Sequence, residues 1–271
     1  MGYQTLTYQQ DESRIATIAL TVPERRNAIS QRMIGDLIAA LDQAESGSSR
    51  LVILTGSGKA FCAGMDLEEL QAVARQTLQK NLEDARRVTK LFSRLYAFPK
   101  PIIAAVNGPA IAGGCGIATL ADLTIAVPEA KFGYTEVKLG FIPAIVAVFL
   151  RRRLSDKHVR DLLLTGRVID ASEAFRMGLI TEIVPAENLM ARAREIAELL
   201  LAASPTAVTQ TKKLLLSFDR AAVRAELEAA IEANAEIRST PDFREGVAAF
   251  LEKRTPKWDE SGSKESDGRS R

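Results

Sequence analysis

Two short stretches of the chain could each aim a backbone N–H at one negative oxygen: Lys59–Asp66, reading KAFCAGMD, and Asn107–Asp122, reading NGPAIAGGCGIATLAD. In both, glycine and other small residues follow a strand-like run and precede a helix-like one, so amide hydrogens can point outward unblocked by side chains. A single carboxylate, Glu136, follows in KFGYTEVKLG. Two such N–H groups and one carboxylate are the equipment of an oxyanion hole with a proton carrier. They suit a reaction that stabilises the enolate of a bound acyl group while a proton moves.

Other chemistries lack their residues. The one histidine, His158, sits in the polar segment LSDKHVRD, where a surface position is expected; with no second histidine and no Cys/His cluster, neither a zinc site nor a Ser-His-Asp hydrolase fits. Cys62 and Cys115 lie in apolar, glycine-flanked surroundings and read as buried fillers. A net charge of +2 and 6% aromatic residues give no polyanion-binding surface, so no nucleic acid is expected as partner. The sequence contains neither a leader-like run nor an apolar stretch of bilayer length, and a cytoplasmic location without membrane contact is the expectation.

The elements that must position the two loops follow from periodicity. Leu6–Gln10 and Arg14–Leu20 alternate as an opening hairpin. Ser30 is a plausible N-cap for a helix whose stripe is Met33, Leu37, Ile38 and Leu41, closed by Gly47. LVILT at 51–55, IIAAV at 102–106 and LTIAV at 123–127 are continuous apolar strands, the mark of a parallel sheet covered on both faces. The region 67–96 reads as one long polar helix with an imperfect inner face, bent or mobile over the site, and a short helix follows near 115–120. Beyond Ala144 the chain is nearly all helical apart from a strand-like run at 180–184, with separate stripes at 189–202, 206–218 and 221–237. The fold class is therefore α/β. The tail at 259–271 is almost devoid of apolar residues and reads as disordered.

At these residues the chain resembles the crotonase, or enoyl-CoA hydratase/isomerase, superfamily. PERRNAIS, KAFCAGMDL, AAVNGPAIAGGCG, AKFGYTEVKLGFIP, LTGRVIDASEAFRMGLITEIV and FREGVAAFLEKR occur in family order and spacing, over nearly the whole length from Leu6 to Trp258. The resemblance implies a spiral core of ββα units over 1–200 and a C-terminal helical trimerisation region over 201–258, assembled as a homotrimer or a dimer of trimers. It implies an acyl-CoA thioester as substrate, with coenzyme A arriving as part of that substrate and with no separate cofactor and no metal. It places the oxyanion donors at the N–H groups of Met65 and Gly113, and CoA beside Arg25, Arg26, Ala28, Ala63, Asp66 and Leu67. Lys253 matches a lysine that can reach CoA on a neighbouring subunit.

Family hydratases carry a glutamate at each of two positions. Here the second is Glu136 and the first is Gly116. The resemblance thus implies an acyl-CoA lyase or isomerase working through a thioester enolate. Hydration, with a branched or glutaconyl-type ester, leads; a double-bond isomerase using Glu136 alone, or a non-catalytic acyl-CoA- or RNA-binding relative, are the alternatives. Tyr134 is weighed equally as a phenol in the acyl pocket and as packing. Arg151-Arg152-Arg153 read first as a helix end and second as an anion site for CoA phosphates or an acidic substrate, and Asp156, Asp161 and Asp170 read as N-caps or surface charges rather than as further catalytic groups.

Overall fold

The computed structural model describes residues 2–258. The chain begins with strands β1 (Leu6–Gln10) and β2 (Ile15–Leu20), paired antiparallel with Leu6 opposite Leu20. A 3₁₀ turn at Pro23–Arg25 leads into α1 (Gln31–Ser46), where the Ser30 hydroxyl accepts from the Met33 N–H and Gly47 stands at the C-cap, as the sequence predicts. Next come β3 (Leu51–Gly56), α2 (Leu67–Val73), α3 (Leu78–Tyr96), β4 (Ile102–Val106), β5 (Ala110–Ile111), α4 (Gly113–Leu120), β6 (Leu123–Ala126) and β7 (Lys131–Gly133). A 3₁₀ turn at Glu136–Leu139 precedes α5 (Ala144–Leu150), α6 (Asp156–Thr165), β8 (Val168–Asp170), α7 (Ala171–Met177), β9 (Glu182–Ile183), α8 (Leu189–Ala202), α9 (Pro205–Ile237) and α10 (Pro241–Leu251).

The large sheet has the order β1-β2-β3-β4-β6-β9, parallel from β2 onward. Every residue of Leu51–Thr55 and Ile102–Val106 is buried, which is why those runs carry no polar alternation. A smaller sheet, β5-β7-β8, lies alongside, and a bridge from Cys62 to Ala110 extends its ladder back to the preceding turn of chain. The successive turns β4-β5-α4 and β6-β7-3₁₀ turn each lay one strand in the large sheet, one in the small one, and then a helix or helical turn. This is the ββα repeat that the resemblance implies.

Two expectations are corrected. The region 67–96 is two helices, broken between Val73 and Leu78, with Thr77 capping the second through Lys80 N–H. The inner face of α3 is imperfect because it buries Asn81, Asp84 and Thr89 among its apolar residues. The stripes at 206–218 and 221–237 belong to a single helix, α9; it contains no Gly and its one Pro stands at the N-terminus, so nothing interrupts its hydrogen-bond ladder. α9 packs on both α3 and α5, with Arg151 and Arg152 at the end of α5 holding Glu226 of α9 at 3.0 and 2.7 Å. That contact gives these arginines carboxylate partners inside the fold. The tail at 259–271 lies outside the described residues.

Candidate active site

Two asparagines, Asn27 buried and Asn107 half-buried, fix the loops that bound the site. The Asn27 side-chain amide donates to Ser57 O and Ala60 O and accepts from Val22 N–H; Asn107 donates to Gly58 O and accepts from Gly56 N–H. Backbone bonds add the Ala63 N–H to Arg26 O and the Ile29 N–H to Gly64 O. Asn27 stands within PERRNAIS and Asn107 opens NGPAIAGG, yet the periodicity of the sequence assigns neither a role. Their position beside turn-forming residues was the available signal.

The two loops touch. A Cβ on Gly114 would stand 2.2 Å from Cys62 O, so only glycine permits this approach, and a Cβ on Gly64 (φ +89°) would lie 3.7 Å from the Gly113 nitrogen. Met65, which follows Gly64, and Gly113 both line one cavity of about 890 Å³. The Met65 N–H donates to no protein acceptor among the described residues, since the bridge between Ile29 and Met65 uses its neighbours Gly64 O and Asp66 N. Gly113 is the first residue of α4, so its N–H has no intrahelical acceptor. Ala112, just before it, has φ 51° and ψ −125°, a costly conformation for a residue with a Cβ, held by its own N–H to Gly133 O at 2.7 Å. That strained residue immediately precedes Gly113, whose amide stands at the positive end of the α4 dipole.

Glu136 opens the 3₁₀ turn and also lines the cavity. It is 8% exposed, and its Oε2 has no hydrogen-bond partner among the described residues. Burial raises its pKa to about 7, against which its own backbone N–H works. Lys131 and Lys138 are both exposed, and neither appears among the charges acting on it, so the reading of Glu136 as a surface ion-pair partner fails. Its charge is felt at the Cys115 thiol in the first turn of α4, which places the carboxyl beside the helix that begins with Gly113.

Gly116 brings no group to this cavity. It is buried, and a Cβ built there would meet Phe92 Cε1 at 2.6 Å and Val146 Cγ1 at 2.7 Å. Apolar side chains from α3 and α5 therefore occupy the space in which a longer side chain would start. Tyr134 is also packing: it is buried off the cavity wall with its hydroxyl 3.0 Å from Thr119 Oγ1. Cys62 and Cys115 are buried thiols, both pushed up to about 12 by burial.

At the mouth, Arg25, Arg26, Ala28, Ala63 and Asp66 all line the cavity. Asp66 caps α2 by accepting from the Glu68 N–H and holds Arg25 at 3.0 Å. The side chain of Leu67 lies outside the described residues. Lys253 is exposed and stands off the wall, whereas its neighbour Arg254 lines it, paired with Glu245 and Glu252. The sequence reading also missed two lining residues, Asn234 and Arg238, one turn apart on and just past α9; Arg238 is fully buried with Nη1 2.6 Å from Asp84 Oδ2. Burial pulls the Arg238 pKa down while Asp84 pushes it back up.

Among the described residues no His/Cys/Asp/Glu group is arranged to hold a metal, and no helix is long and apolar enough to cross a membrane. One cavity is thus lined by Met65 and Gly113, whose N–H groups have no protein acceptor among the described residues, and by a buried carboxyl with its pKa raised to about 7.

A family model described as enoyl-CoA hydratase/isomerase matches residues 10–261. A putative enoyl-CoA hydratase of Thermus thermophilus is 43% identical over 251 residues, covering 92% of this chain and 99% of that protein. The 2,3-dehydroadipyl-CoA hydratase of Escherichia coli is 33% identical, covering 90% and 95%. The crystal structure of an enoyl-CoA hydratase/isomerase from Xanthobacter autotrophicus superposes with a TM-score of 0.85 at 32% identity, over 93% of this chain and 98% of that one.

Proposed function

The chain belongs to the enoyl-CoA hydratase/isomerase family, and from that premise we propose that it adds water across the C2=C3 bond of a 2-enoyl-CoA thioester, with Glu136 as its only carboxyl at the reacting atoms. In this reading the thioester oxygen sits between the N–H groups of Met65 and Gly113. As the water oxygen bonds to C3, the ionised Glu136 takes the proton from the breaking O–H bond. The π electrons pass to the thioester oxygen as an enolate. The enolate then collapses, and Glu136 returns that proton to C2. Each N–H donor contributes about 3 kcal/mol toward holding the enolate. Arg25, Arg26, Ala28, Ala63, Asp66 and Leu67 border the CoA portion, and no further cofactor enters.

The observation that carries the proposal is the Glu136 carboxyl: buried, without an ion-pair partner among the described residues, and lining the same cavity as Met65 and Gly113. The test is turnover of crotonyl-CoA and methylglutaconyl-CoA by the wild type and by Glu136→Gln. Hydration by the wild type and a fall of roughly 10²–10⁴ in the variant are expected; equal rates in the two would remove Glu136 from the mechanism.

One observation favours a second reading. Because Gly116 offers no second carboxyl to hold water, Glu136 could instead move a proton from C2 to C4 and shift a β,γ double bond. A β,γ-enoyl-CoA converted faster than crotonyl-CoA is hydrated would select it.

The reading carries with it a cytoplasmic location and a homotrimer or dimer of trimers, in which Lys253 reaches CoA on a neighbour. Support for assembly comes from Leu214, Leu215 and Phe218, which leave α9 with exposed apolar side chains of the kind a subunit contact covers.

A further inference from the structure

A second apolar cluster, distinct from the main core, joins the two halves of the site. It consists of Leu70 and Val73 of α2, Phe141, and Phe243 and Val247 of α10, all buried, with Met65 and Leu139 packed against it. The residue that carries one unbonded amide and the 3₁₀ turn that begins with Glu136 therefore share one small core. Helix α10 supplies two of its members.

The helix meets that turn at backbone distance. A Cβ on Gly246 would stand 2.3 Å from Leu139 O, and a Cβ on Gly140 (φ +63°) would stand 2.4 Å from Asp242 O, so glycine at both places lets helix and turn touch with no side chain between them. Beside this contact the ring centres of Phe243 and Phe141 lie 5.3 Å apart. Phe141 is tied in turn to Glu136, since its N–H donates to Glu136 O at 3.1 Å. One path of packed groups thus runs from Phe243 through Phe141 to the Glu136 backbone, and another runs from Phe243 through the cluster to Met65.

Met65, Leu70, Glu136, Phe141 and Gly246 line the cavity, whereas Phe243 and Val247 do not. Phe243 can therefore act on the reaction only through the groups it holds. A reacting group misplaced by about 1 Å costs on the order of 10² in rate. A cluster this small has few contacts in reserve, and loss of its fully buried ring loosens what it holds.

We propose that Phe243 and Gly246 are positioning residues for the reaction: through α10 they hold the Met65 amide and the Glu136 carboxyl in fixed relation to one another. This rests on the roles of Met65 and Glu136 given above.

The experiment uses the full chain with Phe243→Ala, Phe243→Leu, Gly246→Ala and, as a control, Ile196→Ala, a main-core truncation in α8 away from the cavity. Rates are taken well below the lowest melting temperature. Phe243→Ala and Gly246→Ala should lower kcat by roughly 10–10²-fold and leave KM within about threefold of the wild type, the pattern of an interaction made only in the transition state. Phe243→Leu, which keeps an apolar side chain in the cluster, should recover most of that loss. Ile196→Ala should lower the melting temperature without lowering kcat. Should Phe243→Ala fail to fold, Gly246→Ala and Phe243→Leu against Ile196→Ala decide. Absorbance of bound 4-dimethylaminocinnamoyl-CoA reads the same geometry without turnover, because its conjugated carbonyl absorbs at longer wavelength when N–H donors polarise it; the shift should shrink in Phe243→Ala and Gly246→Ala alone. A wild type that gives the shift but turns over no ester would count against the proposed reaction, and the absorbance of the variants would still decide the positioning. Unchanged kcat and shift in Phe243→Ala and Gly246→Ala, equal losses in Ile196→Ala, or a wild type with neither turnover nor shift would overturn the proposal.

Discussion

Phe92 Cε1 lies 2.6 Å from the position that a Cβ on Gly116 would take, so the aromatic ring of α3 fills the space from which a side chain at 116 would grow. With Val146 at 2.7 Å on the other side, the site is closed by two unrelated elements. Loss of a carboxyl at position 116 and filling of its space are therefore one packing arrangement.

The first prediction follows from that arrangement. Gly116→Glu alone is expected to lower stability by several kcal/mol through overpacking and a buried unpaired carboxyl, with no gain in crotonyl-CoA hydration. Combined with Phe92→Ala it has room, and hydration should rise relative to Phe92→Ala alone. Thermal melts and rates on the three variants check this.

The near-neutral pKa of Glu136 predicts two pH dependences. Because the proposed cycle starts from the carboxylate, kcat/KM should rise through an apparent pKa near 7. Stability moves the other way. Between the ordinary value of 4.5 and about 7 the folded chain keeps a proton that the unfolded chain has released. Its contribution is therefore complete below 4.5 and lost by about pH 7, a change on the order of 3 kcal/mol. Urea denaturation of wild type and Glu136→Gln at about pH 5 and about pH 8 should show the variant gaining relative stability only at the higher pH.

The contact between the two loops predicts unequal effects of adjacent glycines. Gly114→Ala drives a Cβ into Cys62 backbone, which must push the loops apart and separate the Met65 and Gly113 amides; a loss on the order of 10²–10³ in kcat is expected. Gly113→Ala meets the flexible tip of Ile29 at 3.0 Å and Phe92 Cζ at an ordinary 3.7 Å, and should cost less stability. Paired melting curves and steady-state rates distinguish them.

The buried ion pair between α3 and the end of α9 predicts a specific asymmetry. Asp84→Asn leaves the Arg238 guanidinium buried without its counter-charge and should cost about 3–5 kcal/mol, whereas Asp84→Asn with Arg238→Met should recover most of that loss. A double-mutant cycle by urea denaturation measures the coupling.

Much of this molecule could be read from local pattern. Continuous apolar runs such as Leu51–Thr55 declare a strand buried on both faces, Ser30 and Gly47 bracket α1, and the glycines of the two loops mark where a backbone can bend toward a ligand, because each of these properties depends on residues adjacent in the chain. The small sheet was not readable in the same way, since β5, β7 and β8 are two or three residues long and exist only because neighbouring turns of the spiral supply their hydrogen-bond partners. The motifs could name Met65, Gly113 and Glu136 but not their meeting at one cavity, nor the raised pKa of Glu136, which comes from burial by elements distant in sequence. The same holds for Phe92 against Gly116 and Arg238 against Asp84, 154 positions apart: an inner helical face reads alike whether it meets a glycine, an ion partner or a substrate, and packing of separate elements selects among them.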